Sequence, residues 1–369
     1  MSLWCDKYRP KQLDDLDFNL DQAKQLKKLI ANPNFPHLTI FGSSGSGKKT
    51  RVNALLYELF DASASKLRIE SKIFEAPSGK KIEQRYVASN FHLEVNPSEN
   101  GFYDRVVIQE LIKDVATSHS LSKKYMFKVI VILDADRLTR EAQQGLRRTL
   151  EKYVSTCRVI LIGKRVSRLI PALKSRCLTI RNPAPSELDI RTILENIAKQ
   201  ESFCEDSKIA KFDSALEKIV AQSDRNLRRA ILLLQAYACS VESSMKSPKN
   251  VPILSFRWQE QIDTLARKLA ESQSPKKVAE IRSILYELQT HLIPPELILR
   301  LLTVKLLTFC LDDKMRGDLC RIAAQVDHRI ALGTKPIIHL ELFAVQFMAM
   351  FRCTVEQVEF DFDDSIDID

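Results

Sequence analysis

The chain has 369 residues, of which 45% are hydrophobic and 28% charged, and its formal net charge is +9. That length and apolar content support sizeable cores in two or three domains and exclude a largely disordered chain. No uncharged run approaches the length of a transmembrane helix, so no membrane partner is expected; the mild basic excess is compatible with a polyanionic partner without requiring one.

The eight cysteines, at positions 5, 157, 177, 204, 239, 310, 320 and 353, form no CxxC pair, so no zinc or other metal ligand set is expected from them. With no signal peptide, they fit a reducing cytosolic or nuclear interior. His328, His339 and the other histidines lack ligand spacing.

In chain order, the opening MSLWCDKYRP is short, aromatic and basic, and Leu13 to Leu29 has partly helical spacing. PHLTIFGSSGSGKKT then reads as strand, glycine loop and helix. Leu38, Ile40 and Phe41 end the strand, and Val52, Leu55 and Leu56 begin an apolar helix face. Alternation of the β type runs through 66–97, clearest in KLRIE and FHLEVNP. RVVIQELIKDVAT (105–117) predicts a helix and FKVIVIL (127–133) a buried strand. TREAQQGLRRTLEKY (139–153) predicts a helix capped by Thr139, with Glu141 and Ala142 in its first turn. RVILIG (158–163) and CLTIR (177–181) add two strands. Strands alternating with helices argue for an α/β core, residues 1–184, whose parallel sheet has helices on both faces. After Pro183 and Pro185 the strands stop. Residues 185–239 read as a small helical domain, 240–254 as a polar linker, 255–354 as a second helical domain, and 355–369 as an acidic tail, disordered or loosely docked.

Residues 42–50 read GSSGSGKKT, against the Walker A pattern G-x-x-x-x-G-K-[S/T]. Gly42, Gly47 and Lys48 fit, and Gly45 adds room for a tight loop. Backbone amides of such a loop, here including Ser43, Ser44 and Ser46, hold phosphates together with the lysine. The next position should place a hydroxyl on Mg²⁺, and it is Lys49. Thr50 comes one residue late, a turn of about 100° on a helix. The loop is built to hold ATP or ADP and poorly built to cut it.

The Walker B candidate is VIVILDADRL, 129–138. Here the chain resembles a family: the small subunits of the sliding-clamp loader, replication factor C, within the AAA+ ATPases. The resemblance rests on WCDKYRP, PHLTIFGSSGSGKK, LDAD, EAQQGLRRTLEKYVSTCR, SRC at 175–177, NLRRA, IPPELILRLL and LGTKPIIHLELFA, which are spread over most of the chain. The GKKT loop, the divergent Walker B and YELQTHLIPPE most resemble the subunit at the end of the loader's arc. The fold this implies is an AAA+ core, a lid carrying the sensor 2 arginine, and a helical collar that holds five subunits together.

The resemblance also implies roles. The family's D-E-A-D falls on Leu133-Asp134-Ala135-Asp136, so an aliphatic chain stands where Mg²⁺ is held and Asp134 stands where the water-orienting glutamate belongs. A hard cation wants oxygen ligands, so Mg²⁺ binding is expected to be weak or absent, with Lys49 near the β- and γ-phosphates supplying part of the lost charge. A one-residue register slip, with Asp134 as the metal carboxylate, stays open. Lys164 replaces the sensor 1 asparagine, Arg228 matches sensor 2, and Arg229 is expected to be a surface or interface charge. Tyr8, Arg9 and Pro10 are expected beside the adenine. Arg176 of SRC matches a trans arginine finger for a neighbour's ATP, a task suited to a permanent, planar charge, and Cys177 is expected to be a buried small residue. Arg105 and Lys113 are candidate contacts to primer–template DNA, read through its backbone. Arg147 and Arg148 are candidates for subunit contact or DNA-triggered switching. Val107, Ile108, Leu111 and Ile112 are candidate apolar surface for the sliding clamp, PCNA, although several must also pack inward. The expected partners are the other loader subunits, the clamp and DNA, and the expected compartment is the nucleus. Two other readings stay open: a self-sufficient AAA+ DNA motor resembling a Holliday-junction helicase, and a scaffold subunit without nucleotide.

Overall fold

Two units divide the chain, Met1–Ile253 and Leu254–Asp369. The computed structural model describes residues 2–32, 34–61, 66–75, 79, 81–117, 127–201, 209–243, 256–310, 312–333 and 335–355.

Among the described residues of the first unit, seven strands form one sheet: β1 (His37–Phe41), β2 (Arg68–Glu75), β3 (Lys81–Ala88), β4 (His92–Val95), β5 (Lys128–Ile132), β6 (Cys157–Gly163) and β7 (Cys177–Arg181). Their order is β2-β3-β4-β5-β6-β1-β7. The five strands from β4 to β7 in that order run parallel. β2 and β3 extend them antiparallel, so the parallel sheet expected from the sequence is the larger part of a mixed one. The physical reason is visible in the strands. The three central strands, β1, β5 and β6, are largely apolar and buried on both faces, as strands inside a parallel sheet must be, whereas the edge strand β7 is mostly exposed. β2 and β3 instead alternate apolar with charged residues, which suits a hairpin exposed on one side.

The helices of this unit are α1 (Trp4–Lys7), α2 (Leu20–Ile30), α3 (Lys48–Phe60), α4 (Asp104–Thr117), α5 (Arg140–Lys152), α6 (Pro171–Lys174), α7 (Glu187–Gln200), α8 (Ile209–Ser223) and α9 (Leu227–Ser243). Successive strand residues face opposite sides. Leu38, Ile40, Val129, Val131, Ile160 and Ile162 therefore join α2 and α3 in one core, while Ile130, Ile132, Val159 and Leu161 join α4 and α5 in another. Val107, Ile108, Leu111 and Ile112 all belong to the second core and are at most 3% exposed. This corrects their assignment to the clamp-facing surface: α4 has one apolar stripe, and the sheet takes it. Thr139 caps α5 as expected, its Oγ1 accepting from Ala142 N at 3.2 Å. The buried Asp104 carboxylate accepts from Thr139 N and Oγ1 at 2.7 and 2.8 Å, which ties α4 to that cap.

α7, α8 and α9 form the lid. α7 opens with a capping box between Ser186 and Asp189. α9 runs to Ser243, so the first residues expected in the linker, Ser240 to Ser243, are helical; 244–254 lie outside the described residues.

The second unit consists of α10 (Arg257–Glu271), α11 (Pro275–Thr290), α12 (Pro295–Leu307), α13 (Asp313–Leu332) and α14 (Pro336–Val355) around one apolar core. Arg282 on α11 pairs in fork geometry with Glu341 on α14, at 2.7 and 2.8 Å. By length and composition alone α14 is apolar enough to cross a membrane. Leu340, Phe343, Ala344, Phe347, Met348 and Met350 are nevertheless buried in the bundle core, the position of a central helix in a helical domain. Beyond Val355 the acidic tail lies outside the described residues.

A pH dependence follows from the sheet. His37, buried on β1, accepts from Val159 N through Nδ1 (3.1 Å) and turns Nε2 to the Leu150 carbonyl (3.4 Å). Burial holds its pKa below the ordinary 6.5, and burial does the same to His92 on β4. A second proton on His37 would have to displace the Val159 amide. The unfolded chain thus binds more protons below pH 6.5, and stability is lost as pH falls through that value. The thermal midpoint should fall between pH 7 and 5.5, and His37→Gln should flatten that dependence.

Candidate nucleotide-binding site

The 42–50 loop connects β1 to α3, the context a phosphate loop requires. Gly42 is needed for close approach: a Cβ there would lie 2.0 Å from the Asn182 carbonyl oxygen. Gly45 has φ +74°, and a Cβ on it would lie 1.7 Å from Asn226 Oδ1 in the lid. Asn226 also accepts from Arg229 N at 3.2 Å at the start of α9, so a lid helix begins directly against the phosphate loop. Ser46 is fully buried, and its hydroxyl donates to the Ser43 carbonyl at 2.9 Å. Its own carbonyl accepts from Asn182 Nδ2 at 2.7 Å. The Ser46 side chain therefore holds the loop's shape; only its backbone remains available to a ligand. Lys48 Nζ donates to the Gly42 and Ser43 carbonyls at 2.9 and 2.6 Å.

Beside this loop a cavity of about 700 Å³ is lined by Tyr8, Arg9, Pro10, Gly45, Gly47 and Thr50, with Arg228 from the lid. That is a nucleotide-sized space. Tyr8 Oη and Lys7 Nζ both donate to Glu201 Oε1, at the end of α7, at 2.5 and 2.7 Å. Trp4 N donates to Gln235 Oε1 on α9 at 3.0 Å. The N-terminal segment is thereby strapped to the lid, and Tyr8 to Pro10 line the cavity. Arg229 is half-buried, with its pKa lowered by burial. It is less of a surface charge than expected.

Charges converge at the other end of the loop. Burial pushes the Lys48 pKa down, and Lys164 and Arg228 add to that, while Asp134 and Asp136 oppose it. Asp134 has φ +46° at a tight turn. Asp136 is buried and accepts from Lys164 N at 3.0 Å, so it positions the residue after β6. Leu133 packs its side chain into the core on the α3 side of the sheet.

Lys49 departs from expectation. Its ammonium lies 2.7 Å from Oε2 of Glu94, a residue of β4 that is only 5% exposed. A buried carboxylate needs a partner, and Glu94 takes the amine that was expected near the phosphates. The two positions that would hold Mg²⁺ thus present an engaged ammonium and an aliphatic chain. No cluster of three or more His, Cys, Asp or Glu stands ready for a metal among the described residues. At these two positions the donors do not fit Mg²⁺.

Arg176 lies elsewhere. It immediately precedes β7, whose first residue Cys177 is in register with His37, the first of β1. The phosphate loop follows the last residue of β1, Phe41, which is in register with Arg181. Arg176 and Gly42 therefore stand at opposite ends of parallel strands, roughly 20 Å apart at about 3.3 Å per residue. Arg176 Nε and Nη2 pair with Glu151 of α5, and Nη1 donates to the Ala172 carbonyl at 2.8 Å and to Ser175 Oγ at 3.2 Å. Cys177 is buried, as expected, and burial raises its pKa. On α4, Arg105 and Lys113 are exposed, Arg105 at 3.7 Å from Glu141. Arg147 and Arg148 are exposed on α5.

Three family models match successive stretches of the chain: DNA polymerase III, delta subunit, over 19–185; RCF1/5-like, AAA+ ATPase lid domain, over 192–239; and Replication factor C subunit 3, C-terminal domain, over 258–355. A nucleotide-binding P-loop core, an AAA+ lid and a helical C-terminal domain define the class. Replication factor C subunit 3 of Mus musculus and of Homo sapiens are each 44% identical over 96% of this chain and 98% of their own length. Replication factor C subunit 5 of Neurospora crassa is 40% identical over 95% and 98%. The chain belongs to the replication factor C subunit 3/5 family of clamp-loader subunits. Among solved structures, RuvB of Thermotoga maritima is similar with a TM-score of 0.48 and 17% identity over 75% of this chain and 85% of that one, too distant to weigh here.

Proposed function

We propose that this chain is one of five subunits of a nuclear clamp loader that opens the sliding clamp, PCNA, and places it on primer–template DNA in replication and repair. In this reading it binds ATP or ADP between the 42–50 loop, the Tyr8–Pro10 segment and Arg228. It hydrolyses that nucleotide poorly, because neither Lys49 nor Leu133 offers an oxygen to a metal. Asp134, set at a tight turn and a methylene shorter than glutamate, is a weak water-orienting group. Arg176 is exported to a neighbouring subunit's ATP. Arg105 and Lys113 meet the DNA backbone, the former by exchanging Glu141 for a phosphate.

The observation that carries this reading is the position of Arg176. An arginine a sheet's length from its own phosphate loop cannot serve that loop, and its half-exposed guanidinium stands at the edge of the α/β core. The test is clamp- and DNA-stimulated turnover by the reconstituted loader with substitutions in this chain alone. Arg176→Ala is expected to lower turnover with assembly intact. Lys48→Ala is expected to remove one bound nucleotide per complex and leave turnover within about twofold. Unchanged turnover with the first would end the idea of donation; a collapse with the second would end the idea of a weak own site.

A further inference from the structure

We infer that this chain binds its nucleotide without a divalent cation, because the Lys49–Glu94 ion pair makes the cross-link between α3 and the sheet that a cation makes in other phosphate loops. The inference rests on the nucleotide binding proposed above. In a metal-dependent loop the hydroxyl after the Walker A lysine and the strand-end aspartate share Mg²⁺. The ion therefore does two things: it neutralises phosphate oxygens, and it pins the first turn of the helix to the sheet.

Each task has a substitute here. For the pinning, Lys49 in the first turn of α3 reaches Glu94 Oε2 at 2.7 Å. Glu94 is in register with Val131 of β5, two residues before Leu133. The bridge thus lands one strand away from the place of the missing aspartate. Asn53, one turn further along α3, completes it. In the amide orientation that satisfies its neighbours, its nitrogen donates to Glu94 Oε1 at 3.3 Å and to the Lys49 carbonyl at 3.2 Å. Both carboxylate oxygens of a 95%-buried residue are then occupied by α3. For the charge, Lys164 and Arg228 both act electrostatically on the half-buried Lys48 of the loop, against Asp134 and Asp136. These side chains would supply the positive charge to bound phosphates in place of a metal. A divalent ion placed there would gain no oxygen from residue 49 or 133 and would face a fixed ammonium nearby.

The test is equilibrium binding of fluorescent ADP and ATP analogues to the full chain, in millimolar Mg²⁺ and in excess EDTA. The expected result is the same dissociation constant in both, within about twofold, with Lys49→Thr weakening binding in EDTA by about tenfold and making it respond to Mg²⁺. If that variant does not fold, the near-isosteric Glu94→Gln reads the same bridge and should speed nucleotide release. Wild-type binding that weakens about tenfold or more in EDTA overturns the inference and leaves the nucleotide-binding reading standing. Absence of binding under both conditions removes both. Variants that bind like the wild type while only their thermal midpoint drops would make the pair a folding contact and overturn its role in binding.

Discussion

Arg176→Ala in this chain alone should slow hydrolysis at the neighbouring site of the assembled loader by about 10³-fold, roughly 4 kcal/mol of transition-state stabilisation. Total turnover sums several sites, so the informative reading is the rapid-quench burst, which should lose one site's worth of product while nucleotide binding stays unchanged. Arg176→Lys should restore little of it. Lysine keeps the charge but loses the planar fork that can hold two phosphoryl oxygens together. The present partner of Arg176 does not oppose the transfer. Its pair with Glu151 is partly exposed on both sides, and such pairs contribute about 0–1 kcal/mol. Exchanging it for a phosphoryl group that develops charge in a drier interface is downhill. Glu151→Gln should therefore leave the burst within about threefold. A burst unchanged by Arg176→Ala would remove the donated arginine from the mechanism, and a large effect of Glu151→Gln would move the critical step from chemistry to positioning.

Features encoded by local spacing were legible in the sequence. The phosphate loop, the buried β-branched strands and the Thr139 cap each carry a pattern within a few residues. The N-terminal segment and Arg228 came from the resemblance, and the structure brings both to one cavity. Contacts between distant single residues were not legible. Asn182 holds the loop across 136 positions, Asn226 meets Gly45 from the lid, and Glu201 catches Tyr8 from 193 positions away. An isolated Asn or Glu has no spacing to betray it. Lys49 shows the boundary most clearly. Its sequence position reveals a lost hydroxyl, but only the fold reveals that β4 places a buried carboxylate within reach of the amine. β3 escaped separate recognition because KIEQRYVA alternates without a sustained apolar run, and pairing with β2 supplies what its own composition lacks.

Arg51→Ala should cost the first unit about 3–5 kcal/mol, from buried acceptors left unsatisfied, and lower its thermal midpoint by roughly 10 °C. Arg51 follows Thr50 on α3 and is only 1% exposed. Its Nη1 donates to Gln22 Oε1 at 3.0 Å and to the Asn19 carbonyl at 3.4 Å, Nη2 donates to the Phe18 carbonyl at 3.3 Å, and the guanidinium lies over the Phe18 ring. Burial alone lowers its pKa, to about 10. Among the described residues no carboxylate pairs with it, so carbonyl dipoles and one amide hold this charge. That decides the sign of the mutation. A buried ion pair can sometimes be replaced by apolar residues at little cost, because both charges leave together. Here the acceptors are mostly main chain and cannot be removed, so they would face a cavity unsatisfied. Arg51→Lys should fall between wild type and alanine, since one ammonium cannot reach acceptors spread along Phe18 to Gln22. The effect should also reach the site, because Phe18 and Arg51 line the nucleotide cavity. Saturating ADP should recover part of the lost midpoint in the lysine variant, by binding the folded state alone, and less in the alanine variant. A midpoint for Arg51→Ala within about 2 °C of wild type would mean that water reaches these carbonyls, and that the segment before α2 is held to α3 by its apolar contacts instead.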